Sequence, residues 1–142
     1  QICLELTVHT MIEEEIFYPA CLGAVKEDVL NEAYVEHDGA KVLIAEIETG
    51  APDDEFYDAK VKVLSEQIKH HVHEEEMRAE GLFAQARAAG LDMTDLAARM
   101  ERRNQQLISQ FKANGLPTPE TRSFSGPKLK RGAPVVEARA AE

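Results

Sequence analysis

The stretch LTVHTMIEEEIFYP, residues 6–19, decides the fold because it places His9 four positions before Glu13 in an apolar-periodic segment. Four residues are a little over one helical turn, so the imidazole and the carboxylate stack on the same face of a helix. The two side chains align with an apolar stripe, which consists of Ile2, Leu6, Ile12 and Ile16. We therefore predict a helix over residues 1–18 that turns a His–Glu pair inward and ends or bends near Pro19.

The same spacing, His-x-x-x-Glu-Glu, recurs in the stretch HVHEEE at residues 71–76. Three histidines lie close together here, counting His70 just before this stretch, and only one of them fits an inward register. His71 and Glu75 continue an apolar row at spacings of three and four, which is formed by Val61, Leu64 and Ile68. His70 follows a mixed flank, and His73 follows the charged side of the helix. We therefore predict that His71 and Glu75 are the inward pair.

The remaining segments also have helical periodicity. We predict helices over residues 26–48, 52–89 and 94–114, with a bend at Gly81 in the long third helix of the chain. No two segments show the alternation that is typical of paired strands. The sequence therefore predicts an all-α fold.

A tail of different composition follows this helical body. Residues 117–142 contain four of the six prolines, and five basic residues against three acidic ones give the tail a charge of +2 and the body a charge of −12. We predict a helical domain over residues 1–116 and a Pro-rich, extended or disordered tail over residues 117–142. We expect the basic tail to lie across the acidic body rather than to bind a separate partner.

Length and charge restrict the classes to which this sequence can belong. The 142 residues are one domain's worth, and the formal net charge of −10 argues against binding to a phosphate backbone, so we expect no nucleic-acid partner. No apolar run approaches the roughly 20 residues that a membrane span needs, and no secretory signal opens the sequence. Two cysteines, Cys3 and Cys21, make no disulfide framework. We expect a cytoplasmic protein that does not bind membranes.

A third histidine faces inward in the predicted second helix. His37 lies in an apolar stripe with Leu30, Ala33, Ala40 and Ile44. A lone histidine on such a face is usually a core residue, but here three helices each carry an inward imidazole and two of them add a glutamate. Imidazole and carboxylate are ligands for divalent Fe, Mn and Zn, and an unpaired buried carboxylate is costly. The pattern favours a metal site, and the alternative is a metal-free network of His–Glu hydrogen bonds.

Other conspicuous residues have simpler interpretations. We expect the remaining acids of the two motifs to form a solvated face, which consists of Glu14, Glu15, Glu74 and Glu76. For Glu14, a position near the site is the alternative. We expect the aromatic side chains to fill the core at one end of the bundle, with gating of access to a metal as the alternative; they are Phe17, Tyr18 and Phe83.

Three segments together resemble the hemerythrin-like proteins of the HHE cation-binding type: LTVHTMIEEEIFYP, YVEHDGAKVLIAEIE and IKHHVHEEE. The resemblance covers residues 1–90. Members of that family are up-down-up-down four-helix bundles that hold a non-haem di-iron centre. By position, the resemblance implies two irons, or another divalent metal, held by His9, Glu13, His37, His71 and Glu75. The two glutamates are then expected to bridge the metals.

The front of the sequence departs from the family pattern. The family has a further helix before the first motif, with another ligand histidine, whereas this sequence opens at Gln1 inside an apolar-periodic stretch without a capping residue. We expect that this first helix is missing from the chain. Residues 94–113 contain no histidine and cannot replace the ligand, and a second copy of the chain is a possible source of the missing wall.

The resemblance also implies a range of functions. Members of the family bind O2 reversibly, sense oxygen or redox state, or handle iron and reactive small molecules. A site of histidines and carboxylates without a substrate-pocket signature favours binding or sensing of O2 or a related diatomic over catalysis. Two alternatives stay open, which are a di-iron catalyst that acts on peroxide or NO, and a metal-free or zinc-stabilised helical interaction module.

Overall fold

The computed structural model describes residues 1–133, and every regular element in that range is helical. The elements are α1 (Ile2–Ile12), a π-helix (Glu13–Phe17), α2 (Tyr18–Cys21), α3 (Glu27–Thr49), α4 (Tyr57–Glu76), α5 (Leu82–Ala88) and α6 (Met93–Asn114). The short connection between α3 and α4 makes these two helices neighbours. The first helix, α1, packs against both α3 and α6. The prediction of an all-α bundle of the hemerythrin type is confirmed.

Three apolar clusters hold the bundle together. At one end α2, α3, α5 and α6 meet around Tyr18 and Leu82, and at the other end α1, α3 and α4 meet around Cys3 and Ile44. A third cluster joins α1 to α6 and consists of Val8, Leu107 and Phe111. The predicted polar ligands lie between the two end clusters, where Glu13, His37, His71 and Glu75 are buried and His9 is partly exposed.

The first predicted helix neither stops at Pro19 nor remains α-helical. The N–H of Tyr18 donates to the carbonyl of Glu13, five residues back, which widens the turn over Glu13–Phe17. A widened turn accommodates Pro19, because proline has no N–H to donate and its ring collides with the carbonyl of the preceding turn in an α-helix. Both Glu13 and Glu14 are buried in this widened segment. The prediction that Glu14 belongs to a solvated face is therefore wrong.

The predicted third helix differs from the structure at both ends. It begins at Tyr57 instead of Pro52, because the carboxylate of Asp54 accepts the N–H of Ala51 at 2.8 Å and holds the acidic segment in turns. It ends at Glu76 instead of bending at Gly81.

The break after α4 depends on Gly81, which has no side chain. A Cβ at this position would lie 2.6 Å from the backbone carbonyl oxygen of Glu75 and from the backbone N and O of Met77. Only glycine allows the chain to fold back this closely, and this approach lets α5 begin at Leu82, which is fully buried. The expected bend is therefore a complete break between two helices.

Two apolar residues of the predicted inward rows lie at the surface. Ile2 is 61% exposed and Val61 is 38% exposed, whereas Leu64 in the same row as Val61 is buried. Both exposed residues lie near the beginning of their helices, so periodicity correctly oriented the middle of each helix but overestimated how far the core extends. No helix within residues 1–133 is both long enough and apolar enough to cross a membrane.

The last described segment, residues 117–133, has no regular secondary structure and is called the strap below. The carboxylate of Asp38 in α3 accepts the backbone N–H of Arg122 at 2.9 Å, and the N–H and hydroxyl of Ser123 at 2.6 Å each. Lys41 donates to the carbonyl of Glu120 at 2.8 Å. These contacts fasten the strap to the bundle near residues 120–123. The part of the predicted tail over residues 134–142 lies outside the described residues.

Candidate metal centre

Four helical segments bring the predicted ligands to the middle of the bundle. His9 comes from α1, Glu13 from the π-helix, His37 from α3, and His71 and Glu75 from α4. Four of these five, namely His9, Glu13, His37 and His71, each offer one donor atom within 4.8 Å of the other three. These four residues are called the central cluster below.

The distances within the central cluster match those between ligands of one metal ion. The Oε2 atom of Glu13 lies 3.2 Å from Nε2 of His9, 3.1 Å from Nε2 of His37 and 3.7 Å from Nε2 of His71. The Nε2 atoms of His37 and His71 are 3.1 Å apart. Ligand atoms about 2.1 Å from a shared ion are separated by about 3.0–3.4 Å at tetrahedral or octahedral angles. The cluster therefore has the spacing that a divalent cation requires.

Glu75 lies at the edge of this group rather than in it. Its Oε1 atom is 3.3 Å from Nε2 of His71 and accepts a hydrogen bond from the Tyr18 hydroxyl at 2.8 Å. The residue is 3% exposed, so the carboxylate lies within the bundle. It can bind a cation that lies beside His71, with an oxygen that is distinct from those of Glu13.

Carboxylates outside the cluster orient two of the imidazoles. The Nδ1 atom of His37 lies 3.1 Å from Oε1 of Glu14, and Nδ1 of His71 lies 2.6 Å from Oε2 of Glu36. A histidine whose Nδ1–H is donated outward to a carboxylate presents the lone pair of Nε2 inward, which is the arrangement found around protein-bound metals. Glu14 and Glu36 thus fix the ring orientation of the two histidines and favour the tautomer that carries its hydrogen on Nδ1.

A buried nitrogen without a hydrogen-bond partner supports the same interpretation. Nε2 of His9 is buried and makes no hydrogen bond, although Oε2 of Glu13 is only 3.2 Å away, so proximity without suitable geometry leaves the nitrogen unsatisfied. An orphaned buried polar atom is costly, and it requires an explanation such as an ion. A cation among the four donor atoms satisfies this nitrogen, and the residues present therefore fit a metal.

Tyr18 has a larger role than the expected filling of the core. Its ring is fully buried in the apolar cluster, but its hydroxyl lies 3.0 Å from Nε2 of His37, 3.4 Å from Nε2 of His71 and 3.3 Å from Oε2 of Glu13. The phenol therefore borders the central cluster and supplies a hydrogen-bond donor in an otherwise imidazole- and carboxylate-lined interior.

The titration of the metal-free site reflects its crowded charges. Burial raises the pKa of the Glu13 carboxyl, but hydrogen bonds from His37 and His71 outweigh it and lower that pKa to about 2. Burial lowers the pKa of the His71 imidazole, yet its hydrogen bonds to carboxylates, first that of Glu13, raise the pKa to about 10. Burial and then the neighbouring carboxylates raise the pKa of Tyr18 well above its usual range, so it stays a neutral phenol. The Glu13 carboxylate is therefore ionised and His71 is protonated in the metal-free site, and a bound cation would take the place of that proton.

Glu14 connects the centre to the strap. One of its oxygens lies 2.8 Å from Nζ of Lys41, and the other accepts a hydrogen bond from Nε of Arg122 at 2.7 Å. Burial raises the pKa of the Glu14 carboxyl, but hydrogen bonds from His37, Lys41 and Arg122 hold it below its usual value. The glutamate is therefore ionised and hydrogen-bonded on both sides, which keeps it rigid behind His37.

Sequence reasoning placed Glu14 and Tyr18 near the site only as alternatives, and it did not single out Glu36 at all. Pro19 was a usable signal for Glu14, because a proline inside a continuing helix requires a local change of the turn. No signal in the sequence pointed to Glu36, since it is one residue before an inward histidine and pairs with a helix that follows much later. The outward register predicted for His73 agrees with its exposed side chain.

The fold and the cluster define a helical bundle with a His/Glu cation site, and comparison with known proteins agrees. Residues 1–86, more than half of the chain, match the family model described as the hemerythrin HHE cation binding domain, so the chain belongs to that family and the resemblance is confirmed. A protein named DNA nickase from Nostoc sp. (strain PCC 7120) is 32% identical over 76 residues, which are 54% of this chain and 22% of that protein. The chain thus spans only a minor part of this relative's length. No solved structure matches the chain significantly.

Proposed function

We propose that this domain holds a non-haem di-iron centre and that it binds or senses O2 or a related diatomic. The observation that carries the proposal is the convergence of three imidazole Nε2 atoms on one carboxylate of Glu13 in the middle of the bundle. The proposed ligands are those implied by the family pattern, which are His9, Glu13, His37, His71 and Glu75.

The donor set supports iron as the cation. Imidazoles with carboxylates suit Fe, Mn and Zn, and a helical bundle with Glu and His ligands is the usual setting of a di-iron carboxylate centre. Within the central cluster the carboxylate of one glutamate lies close to three histidines, and Glu75 adds a second carboxylate beside His71. Two carboxylates in this arrangement match the number that the family uses to bridge two metals.

Burial supports a diatomic as the ligand. His37, His71 and Glu13 are each no more than 2% exposed, and the His9 side chain alone of the central cluster is partly exposed, at 30%, which favours a small guest over a larger substrate. When bound, iron supplies the redox chemistry and the reversible binding of such a molecule. Tyr18 holds its proton because of its raised pKa, and its hydroxyl, which donates to Glu75 in the metal-free protein, borders the cluster where a small polar guest can accept that hydrogen bond instead.

Anaerobic reconstitution with Fe²⁺ tests the proposal. We expect about two irons per chain by elemental analysis, and a visible absorption that appears on admission of O2 and reverses when O2 is removed. Glu13→Ala is expected to lower the iron content strongly, whereas Glu15→Ala, which removes only an exposed pair with Arg103, leaves it unchanged.

The alternatives predict different results in the same experiment. Steady consumption of H2O2 or NO by the iron-loaded protein indicates a catalyst rather than a binding protein. Retention of Zn²⁺ with no uptake of iron indicates a zinc-stabilised module, and either result overturns the proposal.

A further inference from the structure

We propose that a second cluster on the surface, formed by Glu32, Glu36 and His70, is a divalent-cation site through which metal enters the bundle. We call it the outer cluster. The inference rests on the proposed function for the destination of the metal, but the outer cluster itself is defined by separate residues. Its cation is of the same class as that of the centre, namely divalent Fe, Mn or Zn.

The outer cluster has the geometry of a three-ligand site. Glu32 and Glu36 are one turn apart on α3, and His70 faces them from α4. One donor atom of each residue lies within 4.8 Å of the other two, and Nε2 of His70 is 3.3 Å from Oε1 of Glu36. Because Glu32 and His70 are exposed, an ion in solvent reaches this site without any opening of the bundle.

A cavity of about 250 Å³ adjoins the outer cluster. Its lining residues include Glu32 and Glu36 of the outer cluster and also Glu75, whose carboxylate lies 3.3 Å from Nε2 of His71. The same cavity is therefore lined by residues of the outer cluster and by a residue beside the central cluster. A hydrated cation fits in a space of this size.

The charge of the cavity favours a cation over other small ligands. Six of its lining residues are acidic and one, Lys26, is basic; the acids are Asp28, Glu32, Glu36, Glu74, Glu75 and Glu80. A cleft lined by one sign of charge concentrates counter-ions and accelerates their association by 10-fold or more. The acidic cavity thus attracts divalent cations and presents carboxylate oxygens along its length.

Glu36 connects the two clusters through its two oxygens. Oε1 lies 3.3 Å from Nε2 of His70 in the outer cluster, and Oε2 lies 2.6 Å from Nδ1 of His71 in the central cluster. One carboxylate therefore belongs to the surface site and also orients an inner histidine. A cation held at the outer cluster is a single side chain away from the imidazole that we propose as its later ligand.

A Mn²⁺ titration followed by electron paramagnetic resonance tests the outer cluster directly. The test variant is Glu32→Gln/His70→Asn, and the matched control is Glu66→Gln/His73→Asn, which changes the same residue types at exposed positions of α4. We expect the test variant to bind one Mn²⁺ per chain fewer than the wild type and the control to bind the same number. Equal numbers in all three proteins overturn the proposal.

The entry route is tested by the rate of Fe²⁺ loading under anaerobic conditions, with samples quenched by a chelator and analysed for retained iron. The test variant is expected to load about 10-fold more slowly than the wild type and the control, and to reach the same final content, because the attraction at the entrance is lost while the centre is intact. Equal loading rates overturn the entry route. If the wild type retains no iron, the proposed function fails, and the Mn²⁺ titration still decides whether the outer cluster binds a cation.

Discussion

Replacement of Asp38 by alanine removes the main attachment of the strap to α3. The carboxylate is fully buried and accepts three hydrogen bonds from the strap, from the N–H of Arg122 at 2.9 Å and from the N–H and hydroxyl of Ser123 at 2.6 Å each. A hydrogen bond to a charged group contributes about 1.5–3 kcal/mol, but the strap donors are exposed and regain bonds to water when released. Lys41, 3.3 Å away, loses a buried counter-charge as well. We expect a loss of about 2–4 kcal/mol in the free energy of unfolding.

Urea unfolding and limited digestion with trypsin measure this effect. The control is Glu46→Ala, on the same helix as Asp38. It removes an exposed ion pair with Lys60 of α4, 2.9 Å away, and is expected to cost less than about 1 kcal/mol in the free energy of unfolding. Release of the strap exposes the bond after Arg122, so Asp38→Ala is also expected to be cleaved there faster than the control. An unfolding free energy and a cleavage rate equal to those of Glu46→Ala would refute the reasoning.

The pH dependence of the strap follows from the same carboxylate. Burial raises the pKa of the Asp38 carboxyl, but the hydrogen bonds from Ser123 and Arg122 outweigh it and lower the pKa below the ordinary value of 3.8. For a lowered folded-state pKa, the stabilisation is complete above the unfolded pKa and is lost as the pH falls through the folded one. The rate of tryptic cleavage at Arg122, relative to that of an unstructured peptide substrate at the same pH, is therefore expected to be constant between pH 6 and pH 8, about two units or more above both pKa values.

Three further predictions concern single side chains. His71→Ala is expected to remove most bound metal by elemental analysis, whereas His73→Ala on the exposed face leaves it nearly intact; equal losses contradict the inward register. Gly81→Ala forces a Cβ to within 2.6 Å of backbone atoms, so urea unfolding is expected to show a loss of about 2–3 kcal/mol in the free energy of unfolding. Gly126→Ala is the control and is expected to show no such loss, because nothing lies within 4 Å of a Cβ there. Tyr18→Phe leaves buried carboxylate and imidazole atoms without their shared donor, so the metal-free protein is expected to lose about 1–3 kcal/mol of stability by the same measurement, and an unchanged midpoint contradicts the role of the hydroxyl.

The sequence predicted the helices and the inward histidines because both depend on local periodicity. A spacing of four residues places His9 with Glu13, and His71 with Glu75, on one face of a helix whatever that helix packs against. The same reasoning failed where the helix was not regular. Glu14 is buried in the π-helix that follows Ile12, whereas the prediction assumed a regular α-helix over these residues and placed Glu14 in solvent.

The helix boundaries around α4 were wrong for a related reason. Acidic residues after Pro52 suit a helix N-terminus, but Asp54 uses its carboxylate to close a turn with Ala51 instead. Gly81 ends one helix and permits another because of backbone atoms that approach it in three dimensions. The sequence predicted a helix start at the acids and a bend at Gly81, and it could not specify how each one acts.

The sequence by itself determined that the chain is helical, that it belongs with the HHE proteins, and which histidine of each helix faces inward. Only the tertiary structure decided what surrounds those histidines. Glu36 reaches His71 across 35 residues, and Arg122 reaches Glu14 across 108, so neither contact follows from the spacing within any one helix. The physical reason is that helical periodicity fixes the direction of a side chain about its own axis, whereas its partner depends on how separate helices and the strap pack together.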